Sequence, residues 1–495
     1  MKKKILTIFL AAGMMVSLTA CGGPGSVDAQ GSGGIVSGTD GGTGLNTDGA
    51  GEDGAVENGG TGSGISAPAD GGTGSEGGLR PLAGFNREGC NTAEGYYYLC
   101  AHPEKLSDGN YGSHLMYMDF ASQQEVYLCS NAGCSHDTVE CSSVLLYDEF
   151  PSYTTLLFVH GNQLYLLSKD NDYDGSSFSS VSYVEDGGET LGSAGDDGAP
   201  AVLYRSNLDG TNREKVYTFT SGLMLEDFVL GDENGIYVAT KKLTTEKNGT
   251  YTYYNSSERQ LLYLDLVKME EREICSMDFE ESFFWWVKGC YANKLILEGT
   301  DYGREVSYEE LFDDDEDKYK ELYENSEEVY ATLDLNSGQL NRVYSISNRK
   351  WNSAVAEGGV LYVSTAVDNS VKAVDLDTGE ARVLCGGMDQ YYYLFDIIGS
   401  KIRCENETFE GTFSYIDVNT GELLHSSLVN KSLGWRLEFR AVSGSDVLVI
   451  YDYEATPNGD GSYEITRYQY GLITQEDLFA GRENYRTIHM IKEGW

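Results

Sequence analysis

The sequence predicts an all-β fold, a β-propeller of seven four-stranded blades. Three observations point to it. Beyond residue 80 the apolar runs are short and bounded by turn signals, and the chain holds 36 tyrosines against 7 prolines, a composition that suits pleated strands. A turn sequence recurs as Asp334-Leu-Asn-Ser-Gly-Gln339, Asp375-Leu-Asp-Thr-Gly-Glu380 and Asp417-Val-Asn-Thr-Gly-Glu422, with weaker copies starting at Asp119, Asn207 and Asp265. The three best copies lie 41 and 42 residues apart, inside the roughly 40–45 of a propeller blade.

The N-terminus reads as an address. Lys2, Lys3 and Lys4 precede an apolar run, Ile5 to Leu18, and then Leu18-Thr-Ala-Cys21. This order predicts a lipoprotein signal peptide over residues 1–20, with the Cys21 thiol as the atom that takes the lipid. No second hydrophobic span follows, so the lipid alone is expected to hold the protein to a membrane. Residues 21–80 form a glycine-rich linker. From Gly22 to Arg80, 22 of 59 residues are glycine and none is aromatic, too little apolar surface to offset chain entropy. Such a coil reaches roughly 40–45 Å.

The propeller domain is expected over residues 84–495. Within a unit the turn motif sits between two apolar runs, as Val371–Val374 and Ala381–Leu384 flank Asp375 to Glu380, with Asp, Asn and Thr favouring local bonds and Gly supplying positive φ. Upstream comes another strand pair, as in Ser353–Glu357 and Val360–Ser364. Seven units begin near Phe85, Thr154, Leu225, Phe283, Trp351, Tyr391 and Arg436; the first and last are the least regular, which leaves six or eight blades as alternatives. Insertions at Lys169–Pro200, Lys241–Gln260, Thr300–Glu328 and Tyr453–Ser462 fall between second and third strands, so they should crown one mouth of the ring. The segment Asp301 to Glu328 carries 13 acids against 3 bases. Its Ser307-Tyr-Glu-Glu310 matches a capping box, and Tyr319, Leu322 and Tyr323 share a helical stripe, so a short acidic helix on the rim is expected.

Two clusters suggest metals. Cys129, Cys134, His136 and Cys141 place three thiols and an imidazole in one crossover, a legitimate tetrahedral zinc set; outside the cytoplasm a disulfide competes for the same thiols. Asp170, Asp172 and Asp174 alternate like the start of a calcium loop, but Val181 stands where the twelfth-position acid belongs, which makes a solvated loop the first reading and calcium the lesser one. Once the three signal lysines are removed, 32 bases face 78 acids, a formal charge of −46. Nucleic acid is therefore excluded as a partner. The chain lacks a Gly-x-Ser-x-Gly elbow, a His-Glu-x-x-His helix and a phosphate loop, and its six scattered histidines read as structural or surface residues.

The signal, the linker, the Gly95-Tyr-Tyr-Tyr-Leu99 start, the Cys/His cluster and the closing Tyr470 to Ile488 segment resemble propeller lipoproteins of Firmicutes. Their domain family, of unknown function, is related to the propeller of low-density-lipoprotein-receptor-related proteins. The resemblance implies an extracytoplasmic location, lipid-anchored at the cell membrane, and a propeller fold. The expected function is a non-enzymatic binding module for a surface glycan, peptide or envelope protein. The alternatives are an extracytoplasmic hydrolase, lyase or oxidoreductase on the same scaffold, and a structural or assembly lipoprotein. Convergent polar groups at one mouth would favour the enzyme, a flat aromatic rim the interaction protein.

Overall fold

Successive residues of a strand point to opposite faces, and in this chain both faces are apolar. In Gly95–Leu99 all five residues are buried: Tyr96 and Tyr98 pack against Leu448, Ile450 and Leu472 near the C-terminus, whereas Tyr97 and Leu99 pack against Leu157, Leu164 and Leu166. A sheet with two apolar faces needs a neighbour on each side. Seven such sheets supply one another in a computed structural model that describes residues 78–491, apart from 85–88, 101–102, 148, 151–153, 169–199, 221–222, 249–250, 280–284, 307–309, 311–315, 407–411 and 458–462. Cys21, the trio Asp170, Asp172 and Asp174, and the capping box at Ser307 lie outside the described residues.

The result is a seven-bladed propeller of antiparallel sheets. Blade 4 is representative, with strands Trp285–Tyr291, Lys294–Asp301, Glu327–Asp334 and Leu340–Ser347 in that order from the axis outward. The innermost strands of blades 1, 2, 3, 5, 6 and 7 are Gly89–Asn91, Thr155–His160, Phe228–Gly231, Asn352–Glu357, Tyr392–Ile398 and Glu438–Ser443, close to the expected starts. Each junction between neighbouring blades holds its own apolar core.

The recurring turns join third to fourth strands as their composition requires. Asp375 Oδ1 accepts the N–H groups of Asp377 (3.1 Å) and Thr378 (2.8 Å), and Gly379 donates to Asp375 O (2.8 Å) at φ +73°. Asp334 and Asp417 repeat the arrangement. At Gly421 in the third copy a Cβ would strike the carbonyl of Leu384 in blade 5, so the turn requires glycine there.

Two of the insertions are strand extensions. Gly235–Asn248 pairs with Tyr251–Asp265 along its length, and Asp446–Pro457 with Tyr463–Thr474, so both stand as hairpins above the mouth. The acidic insertion does form a helix, Glu316–Glu324.

One strand precedes the expected start of the ring. Arg80–Gly84 pairs antiparallel with the inner strand of blade 3, Arg80 opposite Gly231 and Gly84 opposite Phe228, and also touches the inner strands of blades 1, 2 and 4. It therefore lies at the axis. Leu79 enters the core between blades 3 and 4, and Leu82 and Ala83 the core between blades 2 and 3. All first strands start at the mouth where the blade crossovers lie; the axial strand runs against them, so the chain before Arg80 leaves the ring at the opposite mouth.

Gly84 has φ +99°, and a Cβ there would collide with the backbone of Asp227 and Phe228. Gly84→Ala is expected to cost about 1–3 kcal/mol, read as a lower urea midpoint with an unchanged slope.

Candidate functional site

The crossover from blade 1 to blade 2 turns sharply and is pinned from three directions. Ser107 N–H donates to Asp137 O (2.9 Å) and Leu115 N–H to Ser143 O (2.7 Å). Arg213 of blade 2 donates to the carbonyls of Ser142 (2.8 Å) and Val144 (2.9 Å). His136 takes φ +58°, a conformation histidine tolerates better than most residues, and its ring stacks on Tyr127 with centroids 4.2 Å apart. These constraints bring the donor atoms of Cys129, Cys134, His136 and Cys141 within 4.8 Å of one another. All three sulfurs are free thiols in this structure.

Tetrahedral zinc with Zn–S near 2.3 Å would set its sulfurs about 3.8 Å apart, and the cluster fits that scale. His136 Nδ1 lies 3.3 Å from Cys141 Sγ, on the side that faces the thiols. Burial opposes ionisation at Cys129, yet bonds from Asn131 N–H, Cys141, Ser142 and Cys134 hold its thiol below the ordinary value. Burial pushes Cys141 up to about 11. Cys129 is thus the first of the pair to ionise. The four residues form a candidate metal site.

A second constellation escaped the sequence reading. At the crossover mouth the Lys288 ammonium, buried in the inner strand of blade 4, lies 2.9 Å from Glu298 on the second strand. Glu328 on the third strand accepts from the Tyr330 hydroxyl. Burial, then the Glu298 carboxyl, push Glu328 up to about 8, although Tyr330 and Lys288 pull it down. Glu328 therefore carries its proton at neutral pH. Burial works against the Lys288 charge, but Glu298, then Tyr393 and Glu328, outweigh it and raise its affinity for the proton. Tyr391, whose hydroxyl is buried near Ser353 of blade 5, also feels Tyr393, Glu328 and Tyr323. Tyr323 belongs to the acidic helix, so the insertion leans directly on this cluster. In blade 5, Asn352 Oδ1 and Ser364 Oγ are buried without hydrogen-bond partners.

Further ion pairs ring the same mouth. Arg259 of blade 3 donates to Glu226 (2.9 and 2.7 Å) and to the Trp285 carbonyl (2.8 Å), and Arg436 of blade 7 pairs with Glu405 of blade 6. The histidines take structural places: the His114 ring bonds the His136 carbonyl (2.7 Å), His160 the Asp232 carbonyl (2.8 Å), and His425 Ser414 Oγ (3.0 Å). The sequence carried one signal for the polar cluster, a charged residue inside each of two apolar strands, Trp285-Trp-Val-Lys288 and Leu295-Ile-Leu-Glu298.

No family model matches the chain, and no curated protein does. Solved structures resemble it at low identity. Puromycin hydrolase is 13% identical with a TM-score of 0.43, covering 86% of this chain and 56% of its own. Oligogalacturonate lyase from Vibrio parahaemolyticus is 11% identical, TM-score 0.36, covering 79% of this chain and 84% of its own. Pyrococcus horikoshii acylaminoacyl peptidase is 11% identical, TM-score 0.36, covering 64% and 43%. The chain spans little more than half the length of puromycin hydrolase. Likeness this distant assigns no residue a role.

The expectation of a non-enzymatic binding module is corrected. The solved propellers that resemble the chain are enzymes, and its mouth gathers charged pairs that only the closed ring brings together.

Lys288→Met leaves Glu298 and Glu328 without their buried cation, and a broken buried pair costs about 3–5 kcal/mol. Urea unfolding at pH 8 should show that loss, and the loss should shrink at pH 5, where carboxyl groups protonate more readily.

Proposed function

We propose that the protein is an extracytoplasmic propeller enzyme, a hydrolase or lyase working by general acid–base catalysis at the crossover mouth. One observation carries the reading: a carboxyl group protonated at neutral pH, Glu328, beside the buried Lys288–Glu298 pair, with the Tyr330 hydroxyl of its own strand donating to it and Tyr391 of blade 6 close by. Environments that push paired titratable groups apart are how one site holds both an acid and a base near pH 7. Glu328 would donate the proton to a leaving group. Glu298 is held by Lys288 at 2.9 Å. The two carboxyls bond each other, too close to flank a glycosidic bond at the roughly 5–9.5 Å of the two-carboxylate glycosidases, so water or a substrate group takes the second role.

In this reading Cys21 carries the lipid, and kinship with the propeller lipoproteins is part of the same proposal. The axial strand supports an orientation: its first residue, Arg80, lies at the mouth opposite the cluster, so a lipid anchor upstream would turn the site away from the membrane.

The test is turnover of fluorogenic glycosides, esters and peptides, and of polysaccharides scored for unsaturated products. Glu328→Gln should lower the rate about 10²-fold or more with little change in melting, and a variant that keeps the wild-type rate would overturn the assignment. The sign of the pH dependence follows from the raised value. A general acid with its pKa near 8 loses its proton above that pH, so the rate should fall about tenfold per unit there. The folded chain also retains a proton that the unfolded chain releases, so this group's contribution to stability is complete below pH 4.5 and fades as pH rises to 8.

The Cys/His site supports a second, structural role: we propose that it holds zinc. With four protein donors the site is closed, the pattern of a structural ion. Protein purified without chelator should contain about one zinc per chain, Cys141→Ser should lose it, and chelation should lower the melting temperature. Zinc below about 0.2 per chain would exclude the role.

A further inference from the structure

The described residues include four tryptophans, and three of them are nearly half exposed: Trp286 (49%), Trp351 (44%) and Trp435 (49%). An indole is large and mostly apolar, and leaving it in water forgoes much burial. All three stand near the start of an inner strand. Trp286 is the second residue of the inner strand of blade 4, Trp351 directly precedes that of blade 5, and Trp435 stands three residues before that of blade 7. First strands start beside the axis at the crossover mouth, so the three indoles border the mouth that holds the acid–base cluster. Trp286 is the cross-strand partner of Glu298. Trp435 packs edge-on against Tyr453 at 6.1 Å, which orients it. Between them, in blade 6, stands Tyr393, also partly exposed.

We propose that this arc of aromatic rings is a set of stacking subsites for a linear, uncharged oligosaccharide, the substrate class of the mouth. The inference rests on the enzymatic reading of that site. A pyranose offers an apolar C–H face to an indole and a rim of hydroxyls to side chains, and the mouth supplies stacking faces at Trp286, Trp351 and Trp435 and the Glu328 carboxyl beside them. Electrostatics selects against polyanionic chains. The chain is strongly acidic, and the segment Asp301 to Glu328 beside the cluster carries 13 acids against 3 bases, so a polyuronate or nucleic acid is repelled where a neutral glycan is not. An extended peptide would bind most readily by adding to a free sheet edge, and at the mouth the inner strands are paired and packed against their neighbours.

Binding is measured on the full mature chain carrying Glu328→Gln, so that turnover does not consume the probe. The probes are the hexasaccharides of β-1,4-glucose, β-1,4-N-acetylglucosamine and α-1,4-galacturonate, with a basic hexapeptide as the competing class, followed by calorimetry and tryptophan fluorescence. At least one neutral hexasaccharide should bind and perturb the fluorescence, and Trp351→Ala and Trp435→Ala should each weaken it at least fivefold. Both side chains are exposed, so an unchanged melting temperature should accompany the loss. Tighter binding of the galacturonate or the peptide, no binding of either neutral sugar, or affinity unaffected by both substitutions would each overturn the proposal. Turnover of a non-glycan substrate without glycan binding would do so while leaving the acid–base enzyme intact.

Discussion

Closing the ring is the constraint on which everything else depends. Blade 1 is built wholly from the N-terminal end of the propeller and blade 7 wholly from its C-terminal end, so no shared sheet ties the two ends together. Their junction rests mainly on side chains, Tyr96, Tyr98, Met116 and Met118 against Leu448, Ile450, Tyr470 and Leu472, with one backbone bridge between Gln124 and His489. Polar ties fix the register. Asn91 Nδ2 donates to Val442 O (2.8 Å), Glu125 N–H to His489 O (3.0 Å), and Ile491 N–H to Glu125 (2.6 Å). Without that junction Tyr96 and Tyr98 would face water, and the neighbouring blades would lose the fixed partners that make their packing cooperative.

The axial strand adds a second restraint of a different kind. Its residues enter two junction cores at once, so the segment that leads to the linker is gripped by the centre of the ring and not by its rim.

A ring of apolar junctions makes its polar residues conspicuous. Lys288, Glu298, Arg259 and Glu405 are buried at one mouth, where burying charge costs stability unless it is paired. Each has a partner, and the pairing extends across blades, as from Arg436 to Glu405. Replacing such pairs with apolar side chains is commonly neutral or stabilising. Their concentration at the mouth, where the acidic helix, two hairpins and the exposed tryptophans also gather, is what functional use would require. The Cys/His site lies at the same end of the ring but braces one crossover, which fits a structural ion.

The fold class, the blade spacing and the Cys/His cluster were legible in the sequence because each is local. A turn that needs Asp at its first position and Gly at its fifth writes itself into six residues, and four metal donors in one crossover stand within thirteen. The polar cluster was not legible. Lys288, Glu298, Glu328 and Tyr391 come from four strands spread over a hundred residues, and in a chain with 78 acids spacing cannot single out the two that meet a buried lysine. The strand Arg80–Gly84 was missed for a related reason: a five-residue segment has too little periodicity to declare itself, and its place is set by the inner strand of blade 3. The sequence by itself determined the strands, their turns and the thiol cluster, since those depend on neighbours along the chain. Only the closed ring decided which charges share a site, which indoles stay in water and where the strand Arg80–Gly84 runs, because those depend on blades that meet through space.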